Sequence, residues 1–299
     1  MSNLLRSIGN TPLLELHRIL PKGCARILAK AEFLNPSGSI KDRIANRIIE
    51  NAEASGALKP GGTILEVTSG NTGIAFSMVG AEKGYKVVIM MPKSATEERR
   101  KMIGFYGARL ELIEDLRQIQ NAVEIAVDLA KKDPSIFLPR QFSNPDNPRA
   151  HYEGTGREII AQAGKDIDAF VMGVGTGGTL MGVGRALREA NPKVQIVALE
   201  PAESAVMSGE KPGCHGIQGL ADGFIPEIVK MSEVSRVIKV KTQDAIDMAR
   251  RLVKEEGLFV GISAGANVCA AMQLAMELGP GKKVVTALPD RGERYLSIF

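Results

Sequence analysis

Short apolar runs alternate with amphipathic stretches along most of this 299-residue chain. In the first half, Arg26–Glu32, Thr63–Val67, Lys86–Met91 and Arg109–Ile113 have the length and composition of strands. Ile40–Ala54, Thr72–Gly84, Glu97–Gly107 and Ile119–Lys131 predict helices between and after them. A second series follows, with strands at Ala169–Val174, Val194–Glu200, Val237–Val240 and Val284–Leu288. Its helices fall at Tyr152–Ala163, Gly178–Glu189, Asp244–Glu256 and Ala266–Leu278. Alternation at this spacing builds parallel sheets covered by helices on both faces. Two series predict an α/β fold of two domains, each an open, twisted, mostly parallel sheet flanked by helices. The turn-rich stretch Phe142–Pro148 marks the boundary, giving domains of residues 1–145 and 146–299, with the segment before Glu32 expected to cross to the other domain.

Composition narrows the function classes. Hydrophobic residues make up 44% of the chain, and 38 basic and 34 acidic side chains give a net charge of +4. The charges are well mixed. Glu97-Glu98-Arg99-Arg100-Lys101 alternates sign like a solvated helix face rather than a nucleic-acid stripe, so no nucleic-acid partner is expected. No apolar run approaches the ~20 residues a membrane span needs, and Met1–Thr11 lacks a signal core, so the expectation is a cytoplasmic protein without a membrane partner. Cys24, Cys214 and Cys269 are odd in number and far apart, which argues against a disulfide framework or a metal site. His17, His151 and His215 are isolated and read as structural or loop residues.

One lysine changes the picture. In Asn35-Pro36-Ser37-Gly38-Ser39-Ile40-Lys41, Ser39 has the character of an N-cap, and Ile40, Ile44, Ile48 and Ile49 follow at helical spacing. Lys41 then lies in a first helical turn, where the positive end of the helix dipole disfavours an ammonium ion. A lysine kept neutral is a nucleophile suited to Schiff-base formation with an aldehyde cofactor. A solvated first-turn lysine is the competing reading.

Three glycine-rich turns each lead from a strand or loop into a helix. Thr68-Ser69-Gly70-Asn71-Thr72-Gly73 offers backbone N–H groups, hydroxyls and an amide to a carboxylate or phosphate, or else is a loop capped by Asn71 or Thr72. Gly173-Val174-Gly175-Thr176-Gly177-Gly178-Thr179 contains G-x-G-x-x-G, with Glu200 near the distance expected of a ribose-binding acid. That pattern alone supports a dinucleotide site and an NAD-dependent oxidoreductase, although Thr176 and Thr179 suit a terminal phosphate better than a pyrophosphate. Gly261–Asn267 places Ser263 where it could cap a helix.

A Schiff-base lysine, a carboxylate cradle, a phosphate cradle and a neutral hydroxyl together match pyridoxal 5′-phosphate (PLP) and an amino acid. The chain also resembles the cysteine synthase (O-acetylserine sulfhydrylase) family, within the tryptophan-synthase-β-like, fold type II PLP enzymes. The likeness runs from Ile8-Gly9-Asn10-Thr11-Pro12-Leu13 through Lys41, Thr68–Gly73, Gln141-Phe142-Ser143-Asn144-Pro145 and Gly175–Thr179. It continues through Ile217-Gln218-Gly219, Phe224-Ile225-Pro226 and Gly261–Gly265 to Gly292-Glu293-Arg294-Tyr295-Leu296-Ser297.

The resemblance implies PLP in the cleft between the domains, carried on Lys41, which also serves as the base for the substrate Cα proton. It implies that Asn71 meets the cofactor 3′-oxygen, that Gly175, Thr176, Gly177, Gly178 and Thr179 hold its phosphate, and that Ser263 meets the pyridine nitrogen. Thr68, Ser69, Thr72 and Gln141 would grip the substrate carboxylate. The implied reaction makes L-cysteine from O-acetyl-L-serine and sulfide through an aminoacrylate. A homodimer, and a complex with serine acetyltransferase, are further family expectations. Ala221-Asp222-Gly223 departs from the family's usual Gly-Ala-Gly. Asp222 is either a turn residue or a base that redirects the reaction towards sulfide release from cysteine or another β-replacement, such as cystathionine formation.

Overall fold

A computed structural model describes residues 3–68, 70–114 and 119–299 of the chain. The chain begins with α1 (Asn3–Arg6), β1 (Leu13–Glu15) and β2 (Arg26–Lys30), and then enters α2 (Lys41–Ala54). Strand–helix alternation continues through β3 (Thr63–Val67), α3 (Asn71–Lys83), β4 (Lys86–Pro92), α4 (Glu97–Phe105) and β5 (Arg109–Ile113). Next come α5 (Ile119–Lys132), β6 (Ile136–Phe137) and α6 (Asp146–Ala150), which runs through a π-helical turn at His151–Gly156 into α7 (Arg157–Ala163). The remainder is β7 (Ala169–Gly173), α8 (Gly178–Ala190), β8 (Gln195–Pro201), β9 (Arg236–Val240), α9 (Thr242–Glu256), α10 (Ile262–Leu278) and β10 (Lys283–Ala287).

The strands form two sheets. One is parallel throughout, in the order β5-β4-β3-β6. The other has the order β1-β2-β10-β7-β8-β9 and is parallel except for the antiparallel pair β1–β2. Arg26–Lys30 pairs in register with Lys283–Ala287, so the start of the chain is built into the sheet formed by its end.

Burial follows the two-residue period of a strand. In β7 every residue is buried. Ala169 and Val171 pack with α9 and α10, whereas Phe170 and Met172 pack with α7 and α8. Cover on both faces is why this strand reads as continuously apolar. The four-stranded sheet packs Ile64, Val87, Ile89 and Met91 against Ile44, Ile48 and Ile74 of α2 and α3. Its other face has a smaller cluster, Leu65, Val67 and Met90 with Ala122 and Ala126 of α5.

Four helix starts differ from the sequence expectation, the first at α2, where Ile40 rather than Ser39 is the N-cap. Asp146–Ala150 is helical although Pro145 and Pro148 read as turn residues, because a first-turn proline removes an N–H that has no intrahelical acceptor. α10 begins at Ile262 with Gly261 as its N-cap, so Ser263 lies within the first turn and does not cap it. Likewise Gly70, rather than Asn71 or Thr72, is the N-cap of α3.

Candidate active site

The predicted turns follow β3, β7 and the loop before α10, and the two sheets bring them together at the carboxyl ends of their parallel strands, the usual location of ligand sites in such sheets. Lys41 is the first residue of α2, and its N–H lies 3.3 Å from Ser39 Oγ. Its neighbours are anchored inward. Asp42 accepts the Ser37 N–H at 2.7 Å and also the Ser37 hydroxyl. Arg43 is buried and makes paired bonds of 2.6–2.7 Å to Glu32 and 2.7 Å to Glu158. Lys30 adds a 2.8 Å ion pair to Glu158. These interactions fix the start of α2, and with it the root of the Lys41 side chain. Burial of the amine pushes its pKa down, opposed by Asp222, Asp290 and Glu66. The residue is partly exposed, but protein surrounds its amine, and carboxylates from three separate parts of the chain act on it electrostatically.

Thr68, Asn71 and Thr72 follow β3 as expected; Ser69 lies outside the described residues. Thr72 Oγ1 donates to Gln141 Oε1 at 2.8 Å, joining two of the residues expected to hold a carboxylate. Asn71 Nδ2 donates to Asp290 Oδ2 at 2.5 Å, and Tyr295 Oη donates to the same oxygen at 2.7 Å. Asn71 Oδ1 and Asp290 Oδ1 are buried without a partner. Glu66, the penultimate residue of β3, is buried with Gln141 Nε2 3.5 Å away, and burial raises its pKa to about 8. Buried Arg99 of α4 lies against Gly70, with its guanidinium 4.8 Å from the Tyr295 ring centroid and bonded to Gln218.

The second cradle opens α8. Gly177, with φ of 82°, is its N-cap, and Gly178 is its first residue. A side chain at Gly178 would bring Cβ to 1.8 Å from Asn147 Oδ1, so glycine is required there. Thr176 Oγ1 accepts from Asn147 Nδ2 at 2.9 Å, and Thr179 Oγ1 lies 3.2 Å from His151 Nε2. His151 is buried, and desolvation, aided by Arg43 and Lys41, pushes its pKa well down, so the ring is neutral. The sequence showed this histidine as isolated; the π-helical turn brings it to the cradle. Glu200, the candidate ribose acid, is already engaged by the N–H groups of Met207 and Ser208, at 2.7 and 3.0 Å, and by the Ser208 hydroxyl at 2.6 Å. A dinucleotide site built on it is therefore not supported.

Ser263 is buried in the first turn of α10, and its hydroxyl makes no hydrogen bond among the described residues. Ala221 adopts φ of 47°, a left-handed conformation that costs a non-glycine residue about 1–2 kcal/mol. The Ala221 N–H donates to the Val174 carbonyl at 2.9 Å, while His215 Nε2 lies 3.1 Å from the Ala221 carbonyl. Asp222 follows. It is reached by solvent, yet surrounding protein raises its pKa, with Lys41 and His215 pulling the other way.

A sequence profile of the pyridoxal-phosphate dependent enzymes matches residues 4–290. The chain belongs to that family. A cysteine synthase of Staphylococcus aureus is 48% identical over 298 residues, covering 99% of this chain and 96% of that one. The solved structure of an O-ureido-L-serine synthase superposes with a TM-score of 0.95 at 45% identity, covering 100% of this chain and 95% of that one. A hydrogen sulfide-producing enzyme from Fusobacterium nucleatum superposes with a TM-score of 0.92 at 42% identity, covering 99% and 90%.

The local chemistry fits the cofactor of this PLP family. The amino end of α8 presents N–H groups and two threonine hydroxyls to an anion. The unpartnered Asn71 Oδ1 and the second N–H of the same amide are polar groups open to a ligand, and Lys41 supplies an amine of lowered pKa. Glu66, Asp290, Asn147 and His151 were not singled out from the sequence as site residues. Glu66 carried a signal, a carboxylate within the apolar strand Thr63–Val67; the others depended on contacts distant in sequence.

Proposed function

We propose that this protein makes L-cysteine and acetate from O-acetyl-L-serine and hydrosulfide by PLP-dependent β-replacement. The observation that carries the proposal is Lys41: an amine of lowered pKa, rigidly rooted in α2, in a chain 48% identical to a cysteine synthase over nearly its full length. PLP, when bound, supplies an electron-accepting ring that makes the amino-acid Cα proton removable and permits loss of a β-substituent.

In this reading Lys41 Nζ is the amine for the cofactor aldehyde and, once released, takes the Cα proton and later returns it. Gly175, Thr176, Gly177, Gly178 and Thr179 hold the phosphate, Asn71 meets the 3′-oxygen, and Ser263 meets the ring nitrogen. A neutral serine hydroxyl cannot keep that nitrogen protonated as an aspartate would, which favours loss of a β-substituent over transamination. Thr68, Ser69, Thr72 and Gln141 orient the substrate carboxylate. The β-carbon loses its bond to the acetate oxygen and gains one to sulfur. The reading extends to domains of residues 1–145 and 146–299, a cytoplasmic homodimer and a complex with serine acetyltransferase. Analytical ultracentrifugation with and without the acetyltransferase tests the assembly.

Asp222 favours a second reading. Its carboxylate acts electrostatically on Lys41, where it could serve as a base for water or a thiol and repel hydrosulfide. Sulfide release from cysteine would then gain on cysteine synthesis. A substrate panel decides between them: O-acetylserine, O-phosphoserine, serine and cysteine, each with sulfide, homocysteine or water. Fastest turnover of O-acetylserine with sulfide supports the first reading, and fastest consumption of cysteine overturns it.

A further inference from the structure

One side chain touches the framework of both anion sites. Asn147, in α6, is 1% exposed. Its Nδ2 donates to the backbone carbonyl of Gln141 at 2.8 Å and to Thr176 Oγ1 at 2.9 Å. The amide orientation follows from chemistry, because a carbonyl oxygen can only accept and must therefore face the NH2 group. Asn147 Oδ1 is then left against Gly178 without a partner, at the positive end of α8.

This arrangement constrains two other groups. Thr176 Oγ1 accepts from Asn147 Nδ2 and, at 3.4 Å, from the Gly178 N–H. With both acceptor positions used, its hydroxyl hydrogen is free only to donate. A hydroxyl confined to donation, at a helix amino terminus, suits an anion that carries no proton of its own. On the other side, the Gln141 backbone is tied to Asn147 while its side-chain oxygen accepts from Thr72 at 2.8 Å. One amide thereby holds the donor direction of the phosphate cradle and the seat of the carboxylate grip.

We propose that Asn147 is a positioning residue that joins the cofactor-phosphate and substrate-carboxylate sites, so that each is held in its binding geometry through the same amide. This rests on the PLP reading of the site above. Coupling of this kind is reciprocal: an occupied phosphate cradle strengthens the carboxylate grip, and the converse.

The test compares Asn147→Asp, Asn147→Ser and Thr176→Val with the wild-type holoenzyme. Asn147→Asp keeps the shape but removes both donated bonds, Asn147→Ser keeps one hydroxyl donor, and Thr176→Val removes only the phosphate-side hydroxyl. Three quantities are read: the rate of PLP release, the 31P resonance of bound PLP across pH, and the affinity for L-alanine from the change in cofactor absorbance. L-Alanine has no β-leaving group, so this affinity is independent of turnover. Asn147→Asp should weaken both PLP retention and L-alanine affinity by at least about tenfold, the usual scale for hydrogen bonds that serve a charged ligand. Thr176→Val should speed PLP release and shift the 31P resonance while leaving L-alanine affinity within about twofold. Asn147→Ser should fall between, and circular dichroism identifies any variant that fails to fold; if Asn147→Asp does, Asn147→Ser carries the test. Loss of PLP retention with unchanged L-alanine affinity in the Asn147 variants would overturn the joint, as would no change in either. A wild-type protein that binds no PLP would instead overturn the functional reading.

Discussion

The two anion sites of this protein differ in how many of their buried polar groups are paired. The phosphate cradle is the more nearly satisfied: Thr176 is bonded to Asn147, Thr179 lies beside His151, and Gly178 is packed against the Asn147 side chain, whose Oδ1 alone is left buried without a partner. The carboxylate side is unfinished. Around its loop, Glu66 Oε2, Arg99 Nε and Asp290 Oδ1 are buried without partners, as is Oδ1 of Asn71, the loop residue assigned to the cofactor. Its sheet is also more thinly covered on one face, where α5 leaves Val123, Ile125 and Leu129 exposed. A buried unpaired polar group costs about 1–3 kcal/mol, so several beside one loop store a preference for whatever arrives to satisfy them. A cofactor that stays can be given a phosphate seat that is mostly paired in advance. A substrate that comes and goes needs one completed by its own binding. The residues that bridge the sheets, Asn71 to Asp290 and Arg99 to Gln218, are placed to report such a change.

The largest expected effect lies where the two sites meet. Lys41→Ala should lower β-replacement by at least about a thousandfold, within the usual range for loss of a catalytic acid–base, while circular dichroism shows an intact fold. Borohydride reduction of the wild type should place the pyridoxyl label on Lys41 by peptide mapping; a label on another lysine rejects the assignment. On the unfinished side, Thr72→Ala should weaken amino-acid binding by about 1–3 kcal/mol, the range for a hydrogen bond to a charged group. Titration of cofactor absorbance measures it, and wild-type affinity would mean that the carboxylate is held elsewhere. If the loop closes on its ligand, the same titration followed by small-angle scattering should show compaction in the wild type and less in Thr72→Ala.

Glu66 sharpens the contrast through pH. Burial raises its carboxyl to about 8 from 4.5, so the folded chain keeps a proton that the unfolded chain gives up. Its contribution to stability is therefore present below pH 4.5, is lost progressively from there to about pH 8, and is level above. At about 1.4 kcal/mol per pKa unit, the loss is on the order of a few kcal/mol. Glu66→Gln should unfold at higher denaturant than the wild type at pH 8, with the difference vanishing near pH 4.5. Above pH 8 an ionised Glu66 should also oppose a substrate carboxylate, and Glu66→Gln should remove that part of the pH dependence of binding. Equal denaturation curves at pH 8 would show that the buried carboxyl carries no such penalty.

The smallest effect is expected at Asp222, because solvent screens it. Interactions of exposed charges are worth about 0.2–1 kcal/mol, so Asp222→Ala should raise the rate with sulfide by less than about fivefold and lower any sulfide release from cysteine. Unchanged rates in both directions would reduce Asp222 to a turn residue.

Most elements and the three turns were legible in the sequence, because each is set within one stretch of chain, whereas β1, β6 and α6 were too short to leave a periodic signal. Strand and helix periodicity identified the alternation that forms the two sheets, glycines and hydroxyl residues marked the cradles, and the helix beginning at Lys41 placed an amine at a helix amino terminus. Where the local signal was ambiguous, in the prolines on either side of Asn147 and the Gly261–Ala264 run, the helix starts were misplaced. Tertiary structure decided which side chains meet. It set Asn71 beside Asp290, Gln141 beside Glu66 and Asn147 beside Thr176, and it turned Glu200 into its own loop rather than towards a ligand. No periodicity encodes such pairs, since their partners lie on different strands and helices and come within hydrogen-bonding distance only when the sheets have packed. The same packing surrounds the Lys41 amine with protein and buries Glu66, so the chemistry of both residues belongs to the fold rather than to their place in the sequence.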